Sequence, residues 1–236
     1  MKRNVVSKRS LVRGGLTVLA VALVSACSVL PKAEDLSIYQ LPPASALSAS
    51  SAPVAGATSS SSVSTSPRRP GSGAATADWS LRVSTPQSSD LLNSTRILVQ
   101  RDGTELGVYK GARWSDTAPK LFRNRLIDVF RADGNLAAVL GDTSRAQADR
   151  ELTGDLLAFQ TEYDASGAAS AWVRFDAALV DTRSARVVAT RRFEVTQPLQ
   201  GGLQVPQVVD ALGTATDELA AQIVAWALAQ PGPARR

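Results

Sequence analysis

The 236-residue sequence predicts an α+β domain, a single mixed β-sheet with two main helices packed on it, behind a signal peptide and a disordered linker. Three observations carry this expectation. Residues 169–181 and 186–196 alternate apolar and polar side chains with the period of two that suits half-buried strands. The closing stretch from Pro206 to Ala229 places Val208, Leu212, Ala215, Leu219, Ile223 and Trp226 on one helical face. Between two strand-like runs stands Asp102-Gly103, a hairpin signal, because glycine accepts the positive φ that a mirror-image turn requires.

Taken in chain order, the first element is an address. A basic segment from Lys2 to Arg13 precedes the apolar run Leu16–Val24. That run is about nine residues, too short for a membrane span of roughly 20. It closes on Val24-Ser25-Ala26-Cys27, small residues before the sole cysteine, the pattern of a bacterial lipoprotein signal (a lipobox). Residues 1–26 therefore read as a signal peptide and Cys27 as the lipidation site, its sulfur carrying a diacylglyceryl thioether and its new amino group an acyl chain such as palmitate. Two or three such chains anchor a protein permanently, where one would not. The competing reading, an ordinary secretory signal with a chance cysteine, would leave an exported protein with one unpaired thiol. Ser28 rather than Asp after the cysteine favours the outer membrane of a Gram-negative bacterium, with the protein on its periplasmic side.

Residues 27–77 read as a lipidated N-terminal tether and a Ser/Ala/Pro-rich linker. Within them Leu36–Pro43 is a short extended apolar patch ended by two prolines. From Ala44 to Ala77 the only charges are Arg68 and Arg69. Such a stretch buries too little apolar surface to offset its chain entropy, and as a coil it would span about 30–35 Å. The folded domain is expected over 78–230, with 231–236 as a tail. It opens with an alternating strand from Asp78 to Thr85. The hairpin follows, 95–101 and 105–113. A helix capped by Asp116, with Pro119 in its first turn, runs to about Arg131 with Phe122, Leu126, Val129 and Phe130 facing a sheet. Strands over 136–140, 151–163, 169–181 and 186–196 complete the sheet before the closing helix.

Composition excludes much chemistry. There is no histidine, so imidazole bases, Ser-His-Asp triads and imidazole metal sites are absent, and a single cysteine excludes an internal disulfide or a thiolate zinc cage. The net charge of +5 comes from the signal; without residues 1–26, bases and acids balance at 21 each. That balance gives no global case for nucleic acid or anionic lipid. No Gly-x-x-x-x-Gly-Lys loop occurs, so the chain is not an ATPase. Asp149-Arg150-Glu151 and Asp217-Glu218 raise the question of a paired-carboxylate site but sit in no recognisable catalytic context. No enzyme, no metal and no cofactor beyond the covalent lipid is expected.

The run Tyr109-Lys110-Gly111-Ala112-Arg113-Trp114-Ser115-Asp116-Thr117-Ala118-Pro119-Lys120-Leu121 resembles the ABC-type transport auxiliary lipoprotein component family (PqiC-like). The lipobox, Tyr39-Gln40-Leu41, and the strand pair 175–181 with 187–193 extend the resemblance over about 23–43 and 79–229. The long Ser/Ala-rich insertion departs from the family pattern and leaves open whether the Tyr39 segment docks on the domain. The resemblance implies a non-catalytic accessory of an ABC transporter. Its partners would be an MCE-type periplasmic protein with its permease and ATPase, and its cargo lipids or other hydrophobic compounds crossing the envelope. Self-association is left open. Two alternatives stand beside it: a lipoprotein that itself carries an acyl chain beneath its sheet, and a periplasmic hydrolase.

Tyr109 and Trp114 are the candidate partner-binding residues, since aromatic side chains dominate interface energetics. The competing reading of Trp114 is a plug at the sheet–helix junction. Arg174, Arg186, Arg191 and Arg192 could gather into a basic patch, or pair across strands with Asp176, Asp181 and Glu194.

Overall fold

The structure is a computed structural model that describes residues 36–44, 77–200 and 203–233. The signal peptide, Cys27, the linker over 45–76 and the Gly201-Gly202 break lie outside the described residues.

Among the described residues, nine strands form one sheet around β7 (Arg150–Tyr163). Along one edge β7 runs antiparallel to β8 (Ala169–Asp181), and β8 antiparallel to β9 (Arg186–Pro198). Along the other edge β7 takes three partners in succession, all parallel: β2 (Ala77–Val83), β3 (Gln87–Ser88) and β4 (Arg96–Arg101). A strand of 14 residues is long enough for this sharing. Two wings grow from it. β2 continues into β6 (Leu136–Gly141), and β4 into β5 (Glu105–Trp114), which ends on β1 (Ser37–Tyr39). The β4–β5 turn places Asp102 and Gly103 at φ 48° and 71°, the mirror-image geometry expected of it.

The two helices, α1 (Ala118–Asp133) and α2 (Val205–Leu228), lie on the same face of the sheet. Period-two alternation sends Val173, Phe175, Ala177 and Leu179 of β8 beneath them, all buried. Phe122 of α1 meets Phe175 at 5.0 Å between ring centroids, and Trp226 of α2 meets Phe193 of β9 edge-on at 5.5 Å. The six apolar residues that define the face of the closing helix are buried together. Seven of the nine strands and both helices follow the predicted order, with boundaries within about two residues.

Two expectations are corrected. The cap of α1 is Thr117, not Asp116: Pro119 belongs in the first turn and sets the start at Ala118, while Asp116 accepts the Thr117 amide at 2.7 Å and pairs with Lys120 at 3.2 Å. The domain begins before residue 78, because β1 is a strand of the sheet and Ala44 is buried in the core. The tail is docked at its start, where the Pro231 carbonyl accepts from the Arg150 guanidinium. Ala44 and Ala77, the described residues on either side of 45–76, both belong to this domain.

Candidate functional site

β1 extends the sheet at its edge, parallel to β5, with Ser37, Ile38 and Tyr39 opposite Ala112, Arg113 and Trp114. The strand is short, yet the segment beyond it is clamped. The Tyr39 carbonyl accepts the Ser115 amide at 2.8 Å. Past Leu41 the chain turns over the helix layer, where Pro42 and Pro43 permit only extended backbone. The Pro42 carbonyl accepts from Arg125 of α1, whose other guanidinium nitrogen holds Asp217 of α2 at 3.1 Å. Arg125 is 5 % exposed. One cation thus binds the strap, residues 36–44, to the first and second helices. Pro42 presses on Gly213 of α2: a Cβ there would stand 2.6 Å from the proline Cγ, so only glycine lets the strap lie this close.

The side chains of Tyr39 and Trp114 point to the helix-covered face, and Trp114 packs edge-on against Phe159 at 5.7 Å. Trp114 is 1 % exposed, so it is a core residue without surface to offer a partner. Tyr109 is half-buried on the same face, its hydroxyl 2.9 Å from Thr161 Oγ1. Burial pushes that phenol up to about 12. The two candidate aromatic residues are therefore on one face but do not form a joint exposed surface.

The face away from the helices is open. On its β8–β9 half the arginines are paired: Arg192 grips Asp176 through two bonds of 2.6 Å, and Arg174 reaches Glu194 at 2.8 Å while stacking on Trp172. These bonds hold both carboxyls below their usual range. On its β1–β5–β4 half, Ile38, Arg113 and Arg96 stand in register, followed by exposed Val108, whose cross-strand partner Leu98 is buried in the core.

Three of the four carboxylates raised as catalytic candidates are staples, and the fourth, Glu218, is exposed on α2 and accepts from Gln222 one turn on. Asp149 accepts the Ser80 amide and hydroxyl at 2.8 and 2.7 Å, which lowers its pKa, and Glu151 accepts from the Ser84 hydroxyl. Both join the β2 segment to β7. Asp217 faces inward to Arg125 rather than outward. A cleft of about 750 Å³ beside them is lined by Arg82, Asp149, Glu151, Asp181 and Arg183, charged groups unsuited to an acyl chain. Beneath the sheet the space is filled by Phe122, Phe159, Phe175 and Phe193.

Arg125, Asp217 and Gly213 were not legible as a set. The available signal was Arg125 itself, three residues after Phe122 and so on the apolar face of α1.

A sequence model of the ABC-type transport auxiliary lipoprotein component family matches residues 62–224. The chain belongs to this family. This auxiliary lipoprotein is 28 % identical to protein XCC0632 from Xanthomonas campestris, of the DUF330 family, whose crystal structure superposes with a TM-score of 0.61 over 67 % of this chain and 89 % of that one. A second solved structure, an uncharacterized protein 14 % identical, shares the fold at a TM-score of 0.58 over 82 % and 99 % of the two chains. The uncharacterized protein bll6063 of Bradyrhizobium diazoefficiens is 29 % identical over 161 residues, 68 % of this chain and 42 % of that protein, so the auxiliary lipoprotein spans less than half the relative's length. Membership places the chain among the auxiliary lipoprotein components of ABC-type transport.

Proposed function

We propose that this auxiliary lipoprotein is acylated at Cys27, sits on the periplasmic side of the outer membrane, and docks an MCE-type component of a transporter that moves lipids or other hydrophobic compounds across the envelope, without catalysing a reaction. The observation that carries the reading is the clamped strap. β1 begins ten residues after Cys27 and is fixed to both helices through Arg125, so an anchor at Cys27 would hold the whole domain close to its membrane. The transporter component, not the lipoprotein, then has to span the periplasm. Asp149, Glu151 and Asp217, three of the four carboxylates weighed as an acid–base pair, are engaged by Ser80, Ser84 and Arg125.

The test is co-purification of the full acylated protein with the MCE-type protein encoded beside it. Retention supports the reading, and loss of retention with an intact fold overturns it. Cys27→Ala should free the protein from the membrane fraction or leave its precursor uncleaved.

A further inference from the structure

The open face of the sheet carries five apolar side chains that the domain itself does not cover. Leu36 and Ile38 lie on the strap, Leu106 and Val108 on β5, and Leu157 at the bulge of β7; each is 41–58 % exposed. Register fixes their side. Ile38 is opposite Arg113, which is opposite Arg96, and Trp114 next to Arg113 points into the core, so these three face away from the helices. Two residues further along β4, exposed Val108 pairs with Leu98, which is itself buried in the core, and exposed Leu106 pairs with Gln100 beyond them. Leu157 is the extra residue of a bulge opposite Arg174, between Leu156 and Phe159, which both point to the helices. Arg96 and Arg113 are exposed and form no ion pair among the described residues. Alternation puts two acids of β7 on this face, Glu162 beside Gln100 and exposed Asp155 two residues before Leu157. The outer side of α2, across the domain, has Asp210 and Glu218 exposed and no base on the helix.

We propose that this half of the open face, the part of the sheet next to the strap, rests on the bilayer that holds the protein's own lipid. The inference depends on the anchor at Cys27 proposed above. From Cys27 to the strand at Ser37 the chain takes ten steps, and at about 3.3–3.6 Å each they reach no farther than about 36 Å. The strap therefore cannot leave the neighbourhood of the membrane, and the surface it carries is apolar in the middle and cationic at its edge. Apolar side chains enter the headgroup boundary, and guanidinium groups beside them meet lipid phosphates. The acidic outer side of α2 faces the other way, away from anionic headgroups, where a partner could reach it.

The experiment uses the full acylated protein in vesicles of phosphatidylethanolamine and phosphatidylglycerol containing a spin-labelled phospholipid. Acylation occupies the Cys27 sulfur, so a cysteine introduced at Val108 is the single free thiol and accepts a fluorophore; Val187, exposed at the far edge on β9, gives the control position. Val108→Cys should lose roughly twofold or more of its emission to the spin label, and Val187→Cys should keep its emission. Adding Arg96→Glu and Arg113→Glu should restore the Val108 signal while the protein still floats with the vesicles. Leu106→Cys repeats the measurement should Val108→Cys fold poorly. If the protein floats but the Val108 probe is as bright as the Val187 probe, the proposal is overturned and the anchor stands. A probe shielded from aqueous iodide yet untouched by the lipid quencher overturns it in favour of a second protein on this face. A protein that does not float overturns the anchor, and the proposal with it.

Discussion

Across β8 and β9 the open face of the sheet closes its charges on one another, Arg192 with Asp176 and Arg174 with Glu194, whereas across β1, β5 and β4 it leaves Arg96 and Arg113 beside exposed Ile38 and Val108. Both halves are antiparallel or edge strands of one sheet, equally free of helices, and made from the same residue types. The difference lies in register. Where an arginine falls opposite a carboxylate, the surface is complete in water; where it falls opposite another arginine or an isoleucine, the surface has unspent charge and apolar area. Cross-strand ion pairs stabilise by only ~0.2–1 kcal/mol, so pairing or its absence says little about stability and more about what each half is exposed to.

Detaching the half that carries the strap should have the largest effect. Arg125→Met removes the cation that holds both the Pro42 carbonyl and Asp217, leaving a largely buried carboxylate uncompensated. Removing one member of such a pair costs about 3 kcal/mol or more. The shift of the denaturation midpoint at unchanged slope measures it. Arg113→Met, on the open face, should stay within about 0.5 kcal/mol. Equal losses from the two would mean that the clamp is no more than a surface contact.

Next in size is Gly213→Ala. The new methyl meets Pro42 Cγ at 2.6 Å and Cδ at 2.8 Å, and the strap has to lift. Overpacking of this kind costs about 1–3 kcal/mol. Hydrogen exchange should quicken at Ser115, whose amide bonds the Tyr39 carbonyl, while β8 and β9 keep their protection. Faster exchange in both halves would show that the wings are one cooperative unit and the contrast between them is only chemical.

The contrast also marks the limit of what sequence could give. Strands over 169–181 and 186–196 were legible because each buries one face under a helix, and burial imposes a period of two; the salt pairs followed from that alternation. The strap was not. β1 has three residues, too few for a period, and what fixes it is an arginine of α1, an aspartate of α2 and a glycine that makes room, residues 83 to 175 positions away in the chain and joined only by the fold. Trp114 illustrates the same limit. An aromatic residue in a polar run next to a helix start fits an interface or a core equally well, and the side it takes is set by its register with Tyr39, which turns it onto Phe159.

Acid separates the halves without mutation. Asp176 is held below its ordinary value of 3.8 by hydrogen bonds from Arg192, and Glu194 below 4.5 by Arg174 and the Trp172 indole. A carboxyl whose folded-state pKa is depressed stabilises the fold at neutral pH, and that contribution fades as pH falls from the unfolded-state value through the folded one. Exchange of β8 and β9 amides should therefore rise below about pH 4 before that of β1 and β5 does, read as protection factors along an acid series. At the alkaline end the order reverses. Tyr109 of β5, raised to about 12, keeps its proton where the unfolded chain has lost it, so its share of stability is whole below pH 10 and disappears through 12.

The smallest effect is the most informative about the paired half. A double-mutant cycle of Arg174→Met and Glu194→Gln isolates the energy of the 2.8 Å pair from the losses each change causes alone. Both side chains are about a third exposed, which places the coupling below about 1 kcal/mol and makes it shrink with added salt. Trp172 complicates the partition, because its indole N–H donates to the same carboxylate at 2.7 Å while Arg174 stacks on its ring. A coupling that survives high salt would mean that the stacked indole shields the pair from solvent, and the β8–β9 half would then be a packed surface rather than a merely neutralised one. Coupling that vanishes leaves the two halves distinguished by charge pairing alone, which is the state in which an exposed, unpaired Arg96 and Arg113 remain the feature that sets one half apart.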